Sequence, residues 1–590
     1  MPHLVAWLCS TLLAGNAAGA PGAGQEISAV FLRYYVAVLA SPAMEGRLAG
    51  SEGGRRAEAF VASRFAALGL TPPPGRSNFA QEFSFTANVS LGEGNRLAFS
   101  GATPGLELVV ERDFLPASFS ADCELSDVPL AFAGFGITSR EPARDDYAGL
   151  EVRDRAVLVL RDGPDGGDPK SPFAPFTSTR AKAALARERG ARALIVVSTG
   201  ERGDTLPTLR TGAMAGSSPL CVLSMTREAF ERTLALEGPP GAAARDLRAL
   251  GSFGFERLRV DLSIHLRRDT ARAANLIGCL PATRVTGETI LLGAHWDHLG
   301  RGIEGSLAES YGDIHPGADD NASGVAGLLE LARVLSRQAD RPRRICFSAF
   351  GAEELGGLGA AHFTREPPLP LADVVAMINL DMIGRLRERL VVDGSGTARE
   401  WPELLARANL KGLSLSLHPD GFGASDHSAF YARGIPVLFF FTGAHADYHR
   451  PSDTAERIDY DGEVRVLELV REVVREIGRL PARPTPVALA APTGAPRIGL
   501  PVYVGTIPDF TNQEKGFCIL GVRPGSPAER AGLRPGDVLV RLGERTVESI
   551  YDYMHALQQY RPGEKAEAVI VRQGTEVRVT IEFGARKVAE

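Results

Sequence analysis

"IHPGADDNASGVAGLLELARVL" spans Ile314–Leu335. It sets two adjacent aspartates, Asp319 and Asp320, at the mouth of an apolar helix, behind a glycine and ahead of Asn321. A helix N-terminus welcomes one carboxylate, worth roughly 0.3–1 kcal/mol at an exposed site. Asn321 can supply the capping side chain alone. The second charge is surplus to helix chemistry, and its reason lies elsewhere in the chain.

Residues 270–480 alternate strand-like and helix-like patterns around this stretch, which predicts an α/β fold with a mostly parallel sheet. Four apolar strand-like runs end in metal-binding residue types. "TILLGAHWDH" ends at His295 and Asp297, "RRICFSAFGAEE" at Glu353 and Glu354, "VVAMINLDMIG" carries Asp381, and His449 follows "IPVLFFF". Ligands of open α/β sheets bind beyond the carboxyl ends of the strands, so these loops and the Asp319–Asp320 junction converge on one rim.

Imidazoles and carboxylates without a thiolate are zinc donors. Two histidines and at least four carboxylates exceed the needs of one zinc. A pair of zincs, ~3.5–4 Å apart in such sites, would share a bridging carboxylate. One aspartate of "GADDN" can bridge, and its neighbour can shape the loop. Glu353, one residue before Glu354, is placed to take a proton from an attacking water. Asp381 lies among apolar neighbours, so it is expected to be buried and to need a partner. Asp297 is either an exposed residue or the group that orients His295, and Asp453 near His449 invites the same reading. Taken singly, each has an ordinary explanation: a polar loop histidine, a solvated Glu–Glu turn. Their shared strand-end position is what argues for a site. His298, His315, His427 and His445 read as loop histidines.

The remainder of the 590 residues leaves room for three or four structural units. A formal net charge of −6 argues against binding driven by nucleic-acid phosphates. No apolar run has the ~18 residues of a spanning helix. Residues 4–15, "LVAWLCSTLLAG", read as the apolar core of a secretory signal within residues 1–26, although no Lys or Arg precedes them. That predicts a secreted or periplasmic protein. The six cysteines are scattered singly and read as buried thiols. "RAVLVLRDG", "ARALIVVSTG" and "SPLCVLSM" are short strands of a separate α/β unit at 125–265. A Pro/Ala-rich linker at 481–497 precedes a β-rich tail, 498–590.

The motifs "GAHWDHLG", "PGADDNASG", "AEELGGLG", "NLDMIG" and "DYHRPSD" resemble, in order and spacing, the co-catalytic zinc aminopeptidases of the bacterial leucyl aminopeptidase type, relatives of glutamate carboxypeptidase II. "MEGRLAGSEGGRRAEAFVASRFAALGL" is similar to that family's N-terminal segment. The resemblance implies a zinc-exopeptidase fold in two parts, 27–124 and 266–480, with a mostly parallel or mixed sheet flanked by helices. It implies two Zn2+ per chain: His295 and Asp381 on one, Glu354 and His449 on the other, Asp319 bridging. Glu353 would be the general base, Asp297 would orient His295, and Asp320 would follow a strained peptide bond. The implied substrate is a peptide with a free N-terminus. The unit at 125–265 resembles a protease-associated domain and the tail a PDZ domain. Gly516–Ile519 would be the tail's carboxylate-binding loop, for a C-terminal peptide or as a docking module without a free ligand. The rival functions are a carboxypeptidase of the same fold, which would need a basic group such as Arg385 or Arg387 for the substrate carboxylate, a one-zinc glutaminyl cyclase, and a non-catalytic PDZ-based binding protein.

Overall fold

The computed structural model describes residues 26–101, 104–140, 142–166, 171–200, 203–207, 209, 218–237, 246–284, 286–303, 305–308, 312–487, 502–508, 515–523, 525–548, 550–557 and 559–585. The expected signal segment and most of the expected linker lie outside them. The chain divides into two compact units, one running to Phe83 and resuming at Ala273–Val487, the other made of Ser84–Arg272 and Ala488–Glu590.

The first unit is built on an eight-stranded mixed sheet. Its order is Ala80–Leu91, Leu266–Leu280, Arg344–Phe350, Thr289–His295, Val374–Leu380, Val437–Phe441, Leu390–Asp393 and Leu415–His418. Arg344–Phe350, Thr289–His295, Val374–Leu380 and Val437–Phe441 run parallel. Every residue of Thr289–His295 and of Val374–Leu380 is buried. That is why these runs read as continuous apolar stretches rather than alternating ones. His295 pairs in register with Phe350, Gly293 with Asn379, and Asn379 with Phe439. The carboxyl ends of the four strands therefore lie along one edge. The irregular turn Ala318–Ser323 feeds directly into the buried helix Gly324–Ser336.

The second unit has its own eight-stranded sheet, with Cys123–Phe132, Ala156–Leu160, Ala193–Val197 and Cys221–Met225 parallel at its centre. This unit begins at Ser84 rather than 125. Arg96–Ser100, assigned above to the peptidase part, pairs instead with Phe253–Ile264, and Phe114–Pro116 pairs with Cys221–Met225. Such long-range antiparallel pairings leave no local trace in the sequence.

The tail is a small antiparallel sheet of Thr506–Pro508, Phe517–Val522, Val538–Leu542, Lys565–Arg572 and Thr575–Glu582. Gly516–Ile519, the expected carboxylate-binding loop, leads into a strand. Phe517–Ile519 is strand, paired on one side with Val538–Leu542 and on the other with Thr506–Pro508. The Gly516 N–H donates to the Glu548 carbonyl and the Ile519 N–H to that of Asp537, so these donors are already taken. Within this unit, Arg187 of the helix Thr179–Glu188 bonds Glu548 at 2.6 Å and Asp552 at 2.8 Å.

The reading of six buried thiols is corrected at four positions. Cys123 is bonded to Cys221 and Cys279 to Cys346. Cys279 and Cys346 stand opposite each other on antiparallel neighbours, although 67 residues separate them along the chain. Cys518 is buried. No helix among the described residues is long and apolar enough to cross a membrane.

Candidate metal centre

The strand carrying His295 ends where Trp296 turns into the core, and the imidazole faces the adjoining strand ends. His295 Nε2 lies 3.3 Å from Asp320 Oδ1 and 3.3 Å from Asp381 Oδ1. His449 Nε2 lies 3.2 Å from Asp320 Oδ2 and 3.3 Å from Glu354 Oε2. One carboxylate, that of Asp320, thus faces both histidines with a different oxygen for each. His295, Asp381, Glu354 and His449 converge as the sequence predicts.

Asp319 does not join them. Its Oδ1 accepts from the Gly384 N–H at 2.7 Å and the Ser323 hydroxyl at 3.0 Å, while Oδ2 lies 3.1 Å from His445 Nε2. The reason is local backbone geometry. Gly317 has φ 56°, and a Cβ there would stand 2.1 Å from the Asp320 carbonyl. Asp320 itself leaves the helical path, at φ −103° and ψ 99°, and its side chain faces away from that of Asp319. The unusual peptide follows Asp320 rather than preceding it: the Asp320–Asn321 bond is cis.

Glu353 has the most exposed carboxyl of the group and lies 4.0 Å from His295 Nε2. Burial pushes its pKa well above the ordinary range, though His295 pulls the other way. Burial likewise raises Asp297 to about 6 and Asp426 to about 8. For His449, burial opposes protonation, but the hydrogen bonds to Asp320 and Glu354 win and lift it to about 10. Carboxylates this crowded and this buried call for cations.

Asp297 acts on a different partner from the one expected. Its Oδ1 receives the Glu353 N–H at 3.0 Å and its Oδ2 the Glu354 N–H at 3.3 Å, whereas His295 Nδ1 stands 3.9 Å from the carboxylate and 3.2 Å from the Asp297 carbonyl. The side chain fixes the Glu353–Glu354 turn, and the main chain holds the imidazole.

Residues 275–474 match the model of peptidase family M28, and residues 508–583 match that of a PDZ domain. The chain is 35% identical over 185 residues to aminopeptidase YwaD of Bacillus subtilis (strain 168), covering 29% of this chain and 39% of that one. It is 34% identical over 143 residues to leupeptin-inactivating enzyme 1 of Streptomyces exfoliatus, covering 24% and 32%. The matched stretches therefore span well under half the length of these curated relatives. Among solved structures, an aminopeptidase from Aneurinibacillus sp. strain AM-1 superposes with TM-score 0.49 and 22% identity, over 79% of this chain and 96% of that one.

His298, read above as a loop histidine, and Ser425 also frame this site, while Asp453 and Arg385, singled out above for other roles, take different partners. His298 is fully buried, with Nδ1 2.6 Å from Glu354 Oε1 and 3.9 Å from Asp320 Oδ2. Its place in "HWDH", three residues after His295, was the available signal. Ser425 donates to Asp381 Oδ2 at 2.7 Å and accepts from Asn379. Asp453 Oδ2 receives the N–H groups of both Asp319 and Asp320, and its Oδ1 pairs with Arg385 at 3.1 Å. Arg385 also bonds Asp447 at 3.3 Å.

Proposed function

We propose that this chain is a zinc-dependent aminopeptidase. The observation that carries the proposal is the reach of Asp320 to two histidines. Two donors bound at about 2.0–2.1 Å to one tetrahedral zinc stand roughly 3.3–3.4 Å apart. His295 stands 3.3 Å from both Asp320 and Asp381, and His449 3.2 Å from Asp320 and 3.3 Å from Glu354; every donor is N or O, so the set fits two zinc ions. His295, Asp381 and Asp320 would hold one, and His449, Glu354 and Asp320 the other. His298 groups spatially with Asp320 and Glu354 as well. Its 2.6 Å approach to Glu354 and 3.9 Å distance from Asp320 suit a hydrogen-bond partner of Glu354 rather than a donor sharing one metal.

Zinc bound there would polarise the scissile carbonyl and stabilise the charge that develops on its oxygen. Glu353 accepts a proton from the attacking water and delivers it to the departing amine. Its raised proton affinity suits both halves of that transfer. Asp297 keeps Glu353 aimed through the main chain.

The polarity of the site favours an aminopeptidase over a carboxypeptidase. Arg385 is committed to Asp447 and Asp453, and Arg387 is exposed. Glu353 and Asp381 put acidic groups rather than a basic one beside His295, which suits a substrate amine better than a substrate carboxylate. The disulfides support export to an oxidising compartment. For the PDZ tail, the end strand Thr506–Pro508 is the edge to which a peptide would add.

The deciding experiment measures zinc per chain and amino-acid release from an aminoacyl-p-nitroanilide panel, beside N-acetylated and C-terminal-residue substrates. Two zincs and cleavage restricted to free N-termini are expected. A folded protein without zinc, or one that cleaves only at C-termini, overturns the assignment.

A further inference from the structure

Arg47, in the "EGR" of the N-terminal segment, is an arginine with no role in the chemistry above. Its side chain is essentially inaccessible, at 1% exposure. Nε donates to the Trp296 carbonyl at 2.9 Å, Nη1 to Leu39 at 2.7 Å and Pro316 at 2.6 Å, and Nη2 to Gly317 at 2.9 Å. Trp296 directly follows His295, and Gly317 comes three residues before Asp320. One planar fork therefore ties the main chain beside His295 to the main chain leading to Asp320.

The backbone around Arg47 is shaped for this. Glu45, Gly46 and Arg47 all have positive φ, at 48°, 70° and 51°. A Cβ on Gly46 would lie 2.3 Å from the Gly300 carbonyl oxygen, so only glycine allows the approach. The main chain adds two more ties: the His298 N–H donates to the Arg47 carbonyl and the Gly300 N–H to that of Gly46.

We infer that Arg47 is a positioning residue that sets the separation of His295 from Asp320, and through it the zinc affinity of the centre. The inference rests on the metal reading above. A guanidinium presents five donors in a fixed plane, whereas a lysine ammonium is a point charge with three rotatable donors. Lysine would keep the charge but could not hold both loops at once.

The test compares Arg47→Lys, Arg47→Met and Arg343→Met in the full chain. Arg343 is the control: it is also buried and binds main-chain carbonyls, those of Ile477, Gly478, Leu480 and Ala482, but at the start of its strand, away from the site. Zinc affinity is read by competition with a chelating dye, the melting temperature of the metal-free form by calorimetry, and kcat and KM on leucine p-nitroanilide. Outer partners of metal ligands typically contribute 10–100-fold to affinity. Arg47→Met should fall in that range and Arg47→Lys by about tenfold, with kcat reduced more than KM is raised. Arg343→Met should melt earlier yet bind zinc like the parent. Parental affinity in either folded Arg47 variant overturns the proposal, and so does failure of both to fold, which would make Arg47 a folding residue only. If the parent chain itself binds no zinc, the metal reading fails before any variant is compared.

Discussion

The carboxylates of Asp319 and Asp320, neighbours in the chain, face opposite ways: Asp320 Oδ1 and Oδ2 lie 3.3 and 3.2 Å from His295 and His449, while Asp319 bonds Gly384, Ser323 and His445. Asp320→Asn should therefore weaken zinc binding more than about 100-fold, beyond the range of an outer partner. Asp319→Asn should keep both metals and lower the melting temperature. Metal content by atomic absorption distinguishes them, and the reverse pattern would restore Asp319 as the bridge.

Glu353→Gln should reduce kcat by roughly 10²–10⁴-fold, the range attributed to a positioned acid–base group. The zinc content should be unchanged, because Glu353 makes none of the 3.2–3.3 Å contacts of His295 and His449. Substantial turnover by a zinc-loaded Gln variant would remove Glu353 from the proton path.

His298 holds Glu354 at 2.6 Å. His298→Phe should loosen zinc by about 10–100-fold and lower kcat/KM with it. A loop histidine without function would leave both unchanged, so equilibrium dialysis against a zinc buffer decides between the two.

The disulfides close loops with sequence separations of 98 and 67 residues. On the loop-closure model each contributes roughly 4–5 kcal/mol. Non-reducing peptide mapping should recover Cys123 with Cys221 and Cys279 with Cys346, and reduction should lower the melting temperature of each unit. Recovery of unmodified thiols at all four positions would contradict the pairing.

His427 is buried against Phe439, with ring centroids 4.5 Å apart, and burial depresses its pKa to about 3. An unfolded histidine takes up its proton near pH ~6.5. As pH falls from about 6.5 toward 3, the unfolded chain gains a proton that the folded chain refuses, so stability is lost across that window and is intact above it. His427→Phe should flatten this loss. The parent's melting temperature should drop more than the variant's between pH 7.5 and 5; parallel drops would rule out His427 as the source.

By itself the amino-acid sequence determined the order of strand and helix in 270–480, the strand-end placement of His295, Glu354, Asp381 and His449, and the excess of donors over one zinc. These follow from local patterns: buried parallel strands read as apolar runs, and their ends expose the polar residues. Only the tertiary structure decided between Asp319 and Asp320, because the backbone leaves the helical path at Asp320 and turns that side chain alone to the two histidines. It also decided the disulfide partners, the start of the inserted unit at Ser84, the paired strand at Phe517–Ile519, the true partner of Asp297, and the burial of Arg47 and His298. Each depends on contacts between residues far apart in the chain, and a linear pattern carries no record of them.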